Sequence, residues 1–137
     1  PDTLWCAGFD FSARLGPRWG MVQIGLMLRL KLPEGAVFGP GKALLLEYIS
    51  TDGSISAAGR RMGMSYKRAW GLVEEMNTAF RAPLVESSRG GAKGGGARVT
   101  ALGAEVLAMY RRLESGTLAT AEVAAIAALL RDMSDGK

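Results

Sequence analysis

Apolar and polar residues alternate from Val22 to Leu32, and the period then changes at Lys42. In the first stretch Val22, Ile24, Leu26, Leu28, Leu30 and Leu32 alternate with Gln23, Gly25, Met27, Arg29 and Lys31. Period two predicts a strand with one buried face. A single strand is not stable alone. It is expected to join the only other strand candidates, which flank a glycine-rich hairpin downstream, or to pair across a dimer. Pro33 to Gly41 contains two Pro and three Gly and reads as a turn region. Lys42 to Ser50 then reads as a first helix, with Ala43, Leu45, Leu46, Tyr48 and Ile49 on its apolar side.

Two further helices follow in quick succession. Gly53 is placed to end the first helix in a left-handed conformation, and Ser54 to cap a short second one. That helix buries Ile55, Ala58 and Met62, and Gly63 stops it. Met64 then stands just before Ser65, where an apolar residue packs back on the first turn of a third helix that Ser65 caps. The third helix buries Ala69, Leu72, Val73, Met76 and Phe80, at helical spacing. Its opposite face carries Lys67, Gly71, Glu74 and Thr78, with Arg68 and Trp70 on the flanks.

Leu84–Glu86 and Arg98–Thr100 are short strand candidates. Five glycines fall in the seven positions from Gly90 to Gly96 between them. This is not a phosphate loop, because no Gly-Lys-Ser/Thr opens a following helix. Thr100 can cap a fourth helix with Leu102, Val106, Leu107, Met109, Tyr110 and Leu113 as its apolar surface. Gly116 is expected to interrupt or end it. Thr117 to Arg131 predicts one more amphipathic helix. Its apolar surface exceeds what a small winged domain needs, so it either forms a dimer contact or packs on its own domain. Residues 1–20 read as a leader or cloning-derived loop, 21–116 as the main domain, and 117–137 as the dimerisation helix.

Charge then changes the meaning of the helix pair. The chain has 137 residues and a net charge of +4. Between Arg60 and Thr100 lie eight basic and three acidic residues, 8 − 3 = +5, so the remainder is near neutral. Such a cluster suits a polyanion, although a solvated basic face would look the same by charge alone. The third helix opens with Ser65, Tyr66, Lys67 and Arg68. N-terminal residues of a recognition helix face base edges in the major groove. Gly71 allows close approach to a phosphate backbone, and Arg60 and Arg61 are natural phosphate contacts. Arg89, Lys93 and Arg98 accompany a glycine-rich wing that can lie on the backbone or minor groove. The fold expected is mainly α with a small antiparallel β wing, a winged helix-turn-helix with an extra C-terminal dimerisation helix.

Composition excludes other classes. There is no His, and Cys6 is the single cysteine. The usual general base, a thiolate metal cluster and a disulfide framework are all unavailable. No convergent carboxylate pair stands out, so no catalytic residue, metal or cofactor is expected. No apolar run approaches the roughly 20 residues needed to span a bilayer. The expected setting is the cytoplasm.

The segments SISAAGRRMGMSYKRAW, EEMN, LVESSRGGAKGGGARVT and GAEVLAMY resemble the N-terminal DNA-binding domain of the ModE-type molybdate-responsive transcription regulators. That domain is itself similar to the winged helix of LysR-type regulators. The resemblance covers roughly Gln23 to Glu114. Its most specific parts are Ser65, Tyr66, Lys67, Ala69 and Trp70, then Glu75, Met76 and Asn77, then the glycine wing. It implies a homodimer on a palindromic operator in double-stranded DNA. Ser65, Tyr66, Lys67 and Arg68 would make the helix contacts, and Arg89 and Lys93 those of the wing. Full-length members carry a C-terminal pair of small β-barrels that bind molybdate. The 137 residues leave no room for them, so the chain is read as either a stand-alone DNA-binding form or a fragment, and no molybdate site is expected within it. The alternative is a dimerisation module that kept the winged fold, lost DNA reading and modulates a full-length regulator.

Overall fold

The computed structural model describes residues 15–19, 22–88 and 96–130. It comprises strands β1 (Leu15–Trp19), β2 (Val22–Gly25), β3 (Leu30–Lys31) and β4 (Val37–Phe38), then helices α1 (Pro40–Asp52), α2 (Ile55–Arg61) and α3 (Tyr66–Ala79). The hairpin strands β5 (Val85–Ser88) and β6 (Gly96–Val99) follow, then helices α4 (Ala101–Leu118) and α5 (Ala121–Leu129). The fold is mainly α with a small antiparallel β wing, as the residue pattern predicts. The described residues fall into two compact units. One spans 29–108; the other comprises 15–28 and 109–130.

The larger unit is built on α1. Its start is earlier than the periodicity suggests, because Pro40 occupies the first turn, where its missing N–H costs nothing. Ala43, Leu45, Leu46 and Ile49 of α1 are fully buried. Packed with them are Ile55 and Ala58 of α2, and Ala69, Val73 and Met76 of α3. Phe38 closes one side, edge-on to Phe80 with ring centroids 6.1 Å apart. Gly53 (φ 72°) and Gly63 (φ 73°) end α1 and α2 in the left-handed region that glycine adopts without strain. Ser54 accepts a hydrogen bond from the Ala57 N–H, and Ser65 one from the Arg68 N–H, so both caps form as expected. Lys42 is almost wholly buried. Its Nζ donates to the Val37 carbonyl at 2.6 Å and pairs with Glu75 Oε1 at 2.8 Å, joining β4, α1 and α3.

The wing stem is an antiparallel ladder in which Val85 pairs with Val99 and Ser88 with Gly96. It is seated on α4 through Thr100, whose N–H donates to Leu84 O and whose hydroxyl donates to Pro83 O. The same hydroxyl accepts from the Gly103 N–H, capping α4.

In the smaller unit β1 and β2 form a hairpin that packs on α5. Tyr110, about 1% exposed, donates its hydroxyl to the Leu28 carbonyl at 2.5 Å. Leu118 packs against Gly16.

Three local expectations need correction. Leu15–Trp19 is a strand rather than loop. Its Gly and Pro hide the pattern, and β2 supplies the ladder that makes it extended. The segment 22–32 is not one ladder strand, and among the described residues it does not pair with the wing. Its first part pairs back to β1 and its last part forward to β4, leaving 26–29 outside either ladder. The alternation itself holds: Ile24, Leu26, Leu28, Leu30 and Leu32 are half-buried, and the residues between them are exposed. Finally, α4 runs through Gly116 to Leu118. The break comes at Ala119–Thr120, where Thr120 caps α5, because an exposed glycine costs a helix only about 1 kcal/mol.

Gly103 marks the closest approach in the larger unit. A Cβ there would collide with the Leu84 carbonyl oxygen and with Val99 Cγ1, backbone and strand rather than a flexible tip. Gly103→Ala should therefore destabilise the fold by about 1–3 kcal/mol, the usual cost of overpacking. A urea midpoint equal to that of the parent chain would contradict this.

Candidate nucleic-acid interface

The turn between α2 and α3 has little room. A Cβ at Gly59 would lie 3.0 Å from Ala69 Cβ and 3.6 Å from Met64 Cγ. Small residues at this crossing let α2 and α3 approach closely. Met64 is half-buried in the turn, as its position before the cap suggests. With the buried stripe of α3 held in the core, its opposite face is left to solvent. Lys67, Glu74 and Thr78 are exposed, and a Cβ added at Gly71 would meet nothing within 4 Å.

The first turn of α3 gathers the residues singled out by sequence. Ser65, Tyr66, Lys67 and Arg68 are all exposed. The Ser65 oxygen accepts the cap bond, which leaves its O–H donor and one lone pair for an incoming group. Tyr66, at 58% exposure, stands edge-on to Trp70 with centroids 6.1 Å apart and planes 73° apart. The two aromatics lie one helical turn apart and share a face. Lys67 has no ion-pair partner among the described residues. Its ammonium is open to an incoming anion.

The remaining arginines differ in how they are held. Arg60 is exposed and donates to the neutral Ser56 hydroxyl at 3.0 Å, so its charge is not cancelled. Arg61 is turned back on α1. It pairs with Asp52 at 3.0 Å and lies 4.0 Å over the Tyr48 ring. Both arginines also sit at the C-terminal end of α2, where a cation is favoured by the helix dipole alone. Arg98 on β6 pairs with Glu86 on β5 at 2.6 Å, with both side chains largely exposed. Such surface pairs contribute at most about 1 kcal/mol and can yield to a competing anion. Arg89 and Lys93 lie outside the described residues.

Sequence reasoning missed the groups that hold this surface in place. Asp52 and Tyr48 were not assigned to Arg61, nor Glu86 to Arg98. Asn77, the last residue of the Glu75-Met76-Asn77 motif, makes three hydrogen bonds, one to Leu84 and two to Val85 at the start of β5. An amide late in an amphipathic helix, four residues after Val73 of its apolar stripe, is the signal the sequence offers. Among the described residues, no cluster of carboxylates or thiols could hold a metal ion. No described helix is long and apolar enough to cross a membrane.

Gly71 separates stability from surface function. Gly71→Ala should stabilise the chain by about 0.5–1 kcal/mol, because α3 gains a better helix former in open space. A lower melting temperature than the parent would show that this face is covered in the free protein.

No protein-family model matches the chain. Curated relatives do. The chain is 45% identical over 82 residues to the molybdenum-pterin-binding protein MopB of Rhodobacter capsulatus, covering 60% of this chain and 30% of that protein. It is 38% identical over 89 residues to the DNA-binding transcriptional dual regulator ModE of Escherichia coli strain K12, covering 65% of this chain and 34% of the regulator. The Haemophilus influenzae ModE matches at 36% over 94 residues, covering 69% and 37%. The chain thus spans about a third of the length of the relatives it matches. With that sequence kinship beside a helix pair, a wing stem and a basic first turn of α3, this chain is a homologue of the ModE transcriptional regulators over their shared segment, and that segment folds as a winged helix-turn-helix.

Proposed function

We propose that this chain binds double-stranded DNA in a sequence-specific manner, as a dimer on a palindromic operator, and regulates transcription in the cytoplasm. The observation that carries the reading is the solvent-facing first turn of α3. It presents Tyr66, Lys67 and Arg68 beside an unobstructed Gly71, on a helix whose other face is locked in the core. That arrangement suits insertion into the major groove. Lys67 supplies a donor for a guanine edge or a phosphate, and the Tyr66–Trp70 pair offers an apolar face to thymine methyl groups. Arg60, Arg98 and the wing cations Arg89 and Lys93 would neutralise flanking phosphates. Arg61 would join them only by leaving Asp52.

The dimer reading draws on the smaller unit. Met109 and Leu113 of α4, Ile126 and Leu129 of α5, and Leu130 just beyond it are exposed, with Leu129 at 85% exposure. Large apolar side chains left in water favour burial against a second copy. The segment 117–137 is accordingly the proposed dimer contact, appended to a winged domain at 21–116. Kinship with proteins named for molybdenum transport and molybdenum-pterin binding supports regulated genes that serve molybdenum uptake or molybdoenzymes. No molybdate site is proposed within this chain.

Salt dependence tests the binding directly. Neutralising six or more phosphates should make log K fall against log salt with a slope steeper than about −5. A near-flat slope, or co-purification with a larger homologue without any duplex binding, would sink the reading in favour of a dimerisation module.

Specificity tests the helix. Lys67→Ala or Tyr66→Ala should erode discrimination between operator and unrelated duplex by roughly tenfold or more, about 1–3 kcal/mol. Lys93→Ala should instead weaken all duplexes alike. Gly71→Leu should keep the fold and lower affinity, since the longer side chain occupies the space the duplex would enter.

A further inference from the structure

We infer that Asn77 is a positioning residue for DNA binding, setting the wing against the recognition helix. The inference rests on the duplex-binding reading above. Asn77 lies in the last turn of α3. Its Oδ1 accepts from the Leu84 N–H at 2.8 Å and the Val85 N–H at 3.1 Å, and its Nδ2 donates to the Val85 carbonyl at 3.0 Å. One side chain thereby satisfies both backbone groups of the residue that opens β5. The geometry needs an acceptor with two lone pairs and a donor on one short, planar group. Asparagine provides that combination at this length; aspartate has no donor to offer the Val85 carbonyl.

The other strand of the stem is tied to the helix pair as well. The Ala97 N–H on β6 donates to the carbonyl of Gly53, the residue that ends α1, at 2.9 Å. The hairpin is therefore fastened on both strands, through Asn77 to α3 and through Gly53 to the α1–α2 corner. Between the end of α3 and the start of β5 lie only residues 80–84. Of these, Arg81, Ala82 and Pro83 are exposed and give the link little packing of its own. The ends of the link are held, Phe80 edge-on to Phe38 and Leu84 buried with its carbonyl bonded to Thr100, so losing the Asn77 bonds releases β5 from α3 while leaving it seated on α4.

A fixed wing matters because two contact surfaces on one body bind a duplex as a clamp. Once α3 is in the groove, the wing reaches its phosphates at an effective concentration set by the stiffness of the joint. Asn77 would touch no nucleotide. Its three bonds all point inward, and its effect on affinity passes through the hairpin.

The test uses the full chain with Asn77→Ala and the milder Asn77→Asp, which keeps the two acceptor bonds. Affinity for an operator duplex is measured across a salt series, alone and combined with Arg98→Ala on the wing or Lys67→Ala on α3. The expected result is a loss of tenfold or more for Asn77→Ala, with a flatter salt slope. The loss should be non-additive with Arg98→Ala and additive with Lys67→Ala. An unchanged slope, or additivity with both, would mean that Asn77 merely supports the fold and would overturn the inference. Backbone 15N relaxation of residues 85–88 and 96–99 is recorded on the free protein. The stem should gain motion in both variants while α1 and α3 stay rigid, and a stem as rigid as the parent's overturns the inference without reference to DNA. A parent chain that binds no duplex refutes the DNA reading itself, and the relaxation data then decide whether Asn77 holds the stem.

Discussion

The close crossing of α2 and α3 is the constraint on which the rest of the larger unit depends. Gly59 and Ala69 meet there so closely that a methyl group added at Gly59 would force a neighbour to give by a few tenths of an ångström, so the interhelical distance is set by the two smallest side chains. Interiors are packed too densely to absorb a change at such a point without moving a whole element. The capped starts at Ser54 and Ser65, and the left-handed turns at Gly53 and Gly63, fix where each helix begins and ends. Together they determine which face of α3 is buried, and therefore which face remains for Tyr66, Lys67 and Gly71. The outward chemistry follows from inward packing.

The charges around that face are not equivalent. Sequence makes Arg60, Arg61 and Arg98 look alike, but only Arg60 keeps its charge uncompensated by a carboxylate. Arg61 is held twice, by Asp52 and by the Tyr48 ring, and Arg98 once, by Glu86 across the wing stem. An arginine held by a carboxylate must lose that partner before gaining a phosphate, so its net contribution to binding is smaller than its formal charge suggests. The excess of five positive charges between Arg60 and Thr100 therefore overstates the field at the described surface.

The wing depends on polar fastening rather than on its own core. Of its stem, Val85 is buried while Glu86, Ser87 and Ser88 are exposed. Two short strands with one fully buried side chain on β5 cannot hold a defined position by apolar packing. Hydrogen bonds that join Asn77, Gly53 and Thr100 with the backbone of the stem and its flanks supply what packing does not. The seat is completed by Gly103, where α4 comes against the Leu84 carbonyl.

Much of this was legible in the sequence. The apolar spacing of α1 and α3, the Ser caps, the terminating glycines and the alternation at 22–32 are local signals. Each reflects a preference that a few neighbouring residues satisfy among themselves. The first-turn residues of α3 were legible for the same reason, because a helix with one apolar stripe leaves its other face determined. What only the tertiary structure decided are matters of partner choice. Whether Leu15–Trp19 is a strand depends on β2 lying beside it. Where the 22–32 ladder breaks depends on β1 and β4 claiming opposite ends. Which arginines are spoken for depends on Asp52, Tyr48 and Glu86 arriving from 9 to 13 residues away. The role of Asn77 depends on a strand seven and eight positions downstream folding back to it. Local patterns set the elements, their ends and their buried faces. Pairing between them is settled by which hydrogen-bonding and charged groups the packed core brings within reach.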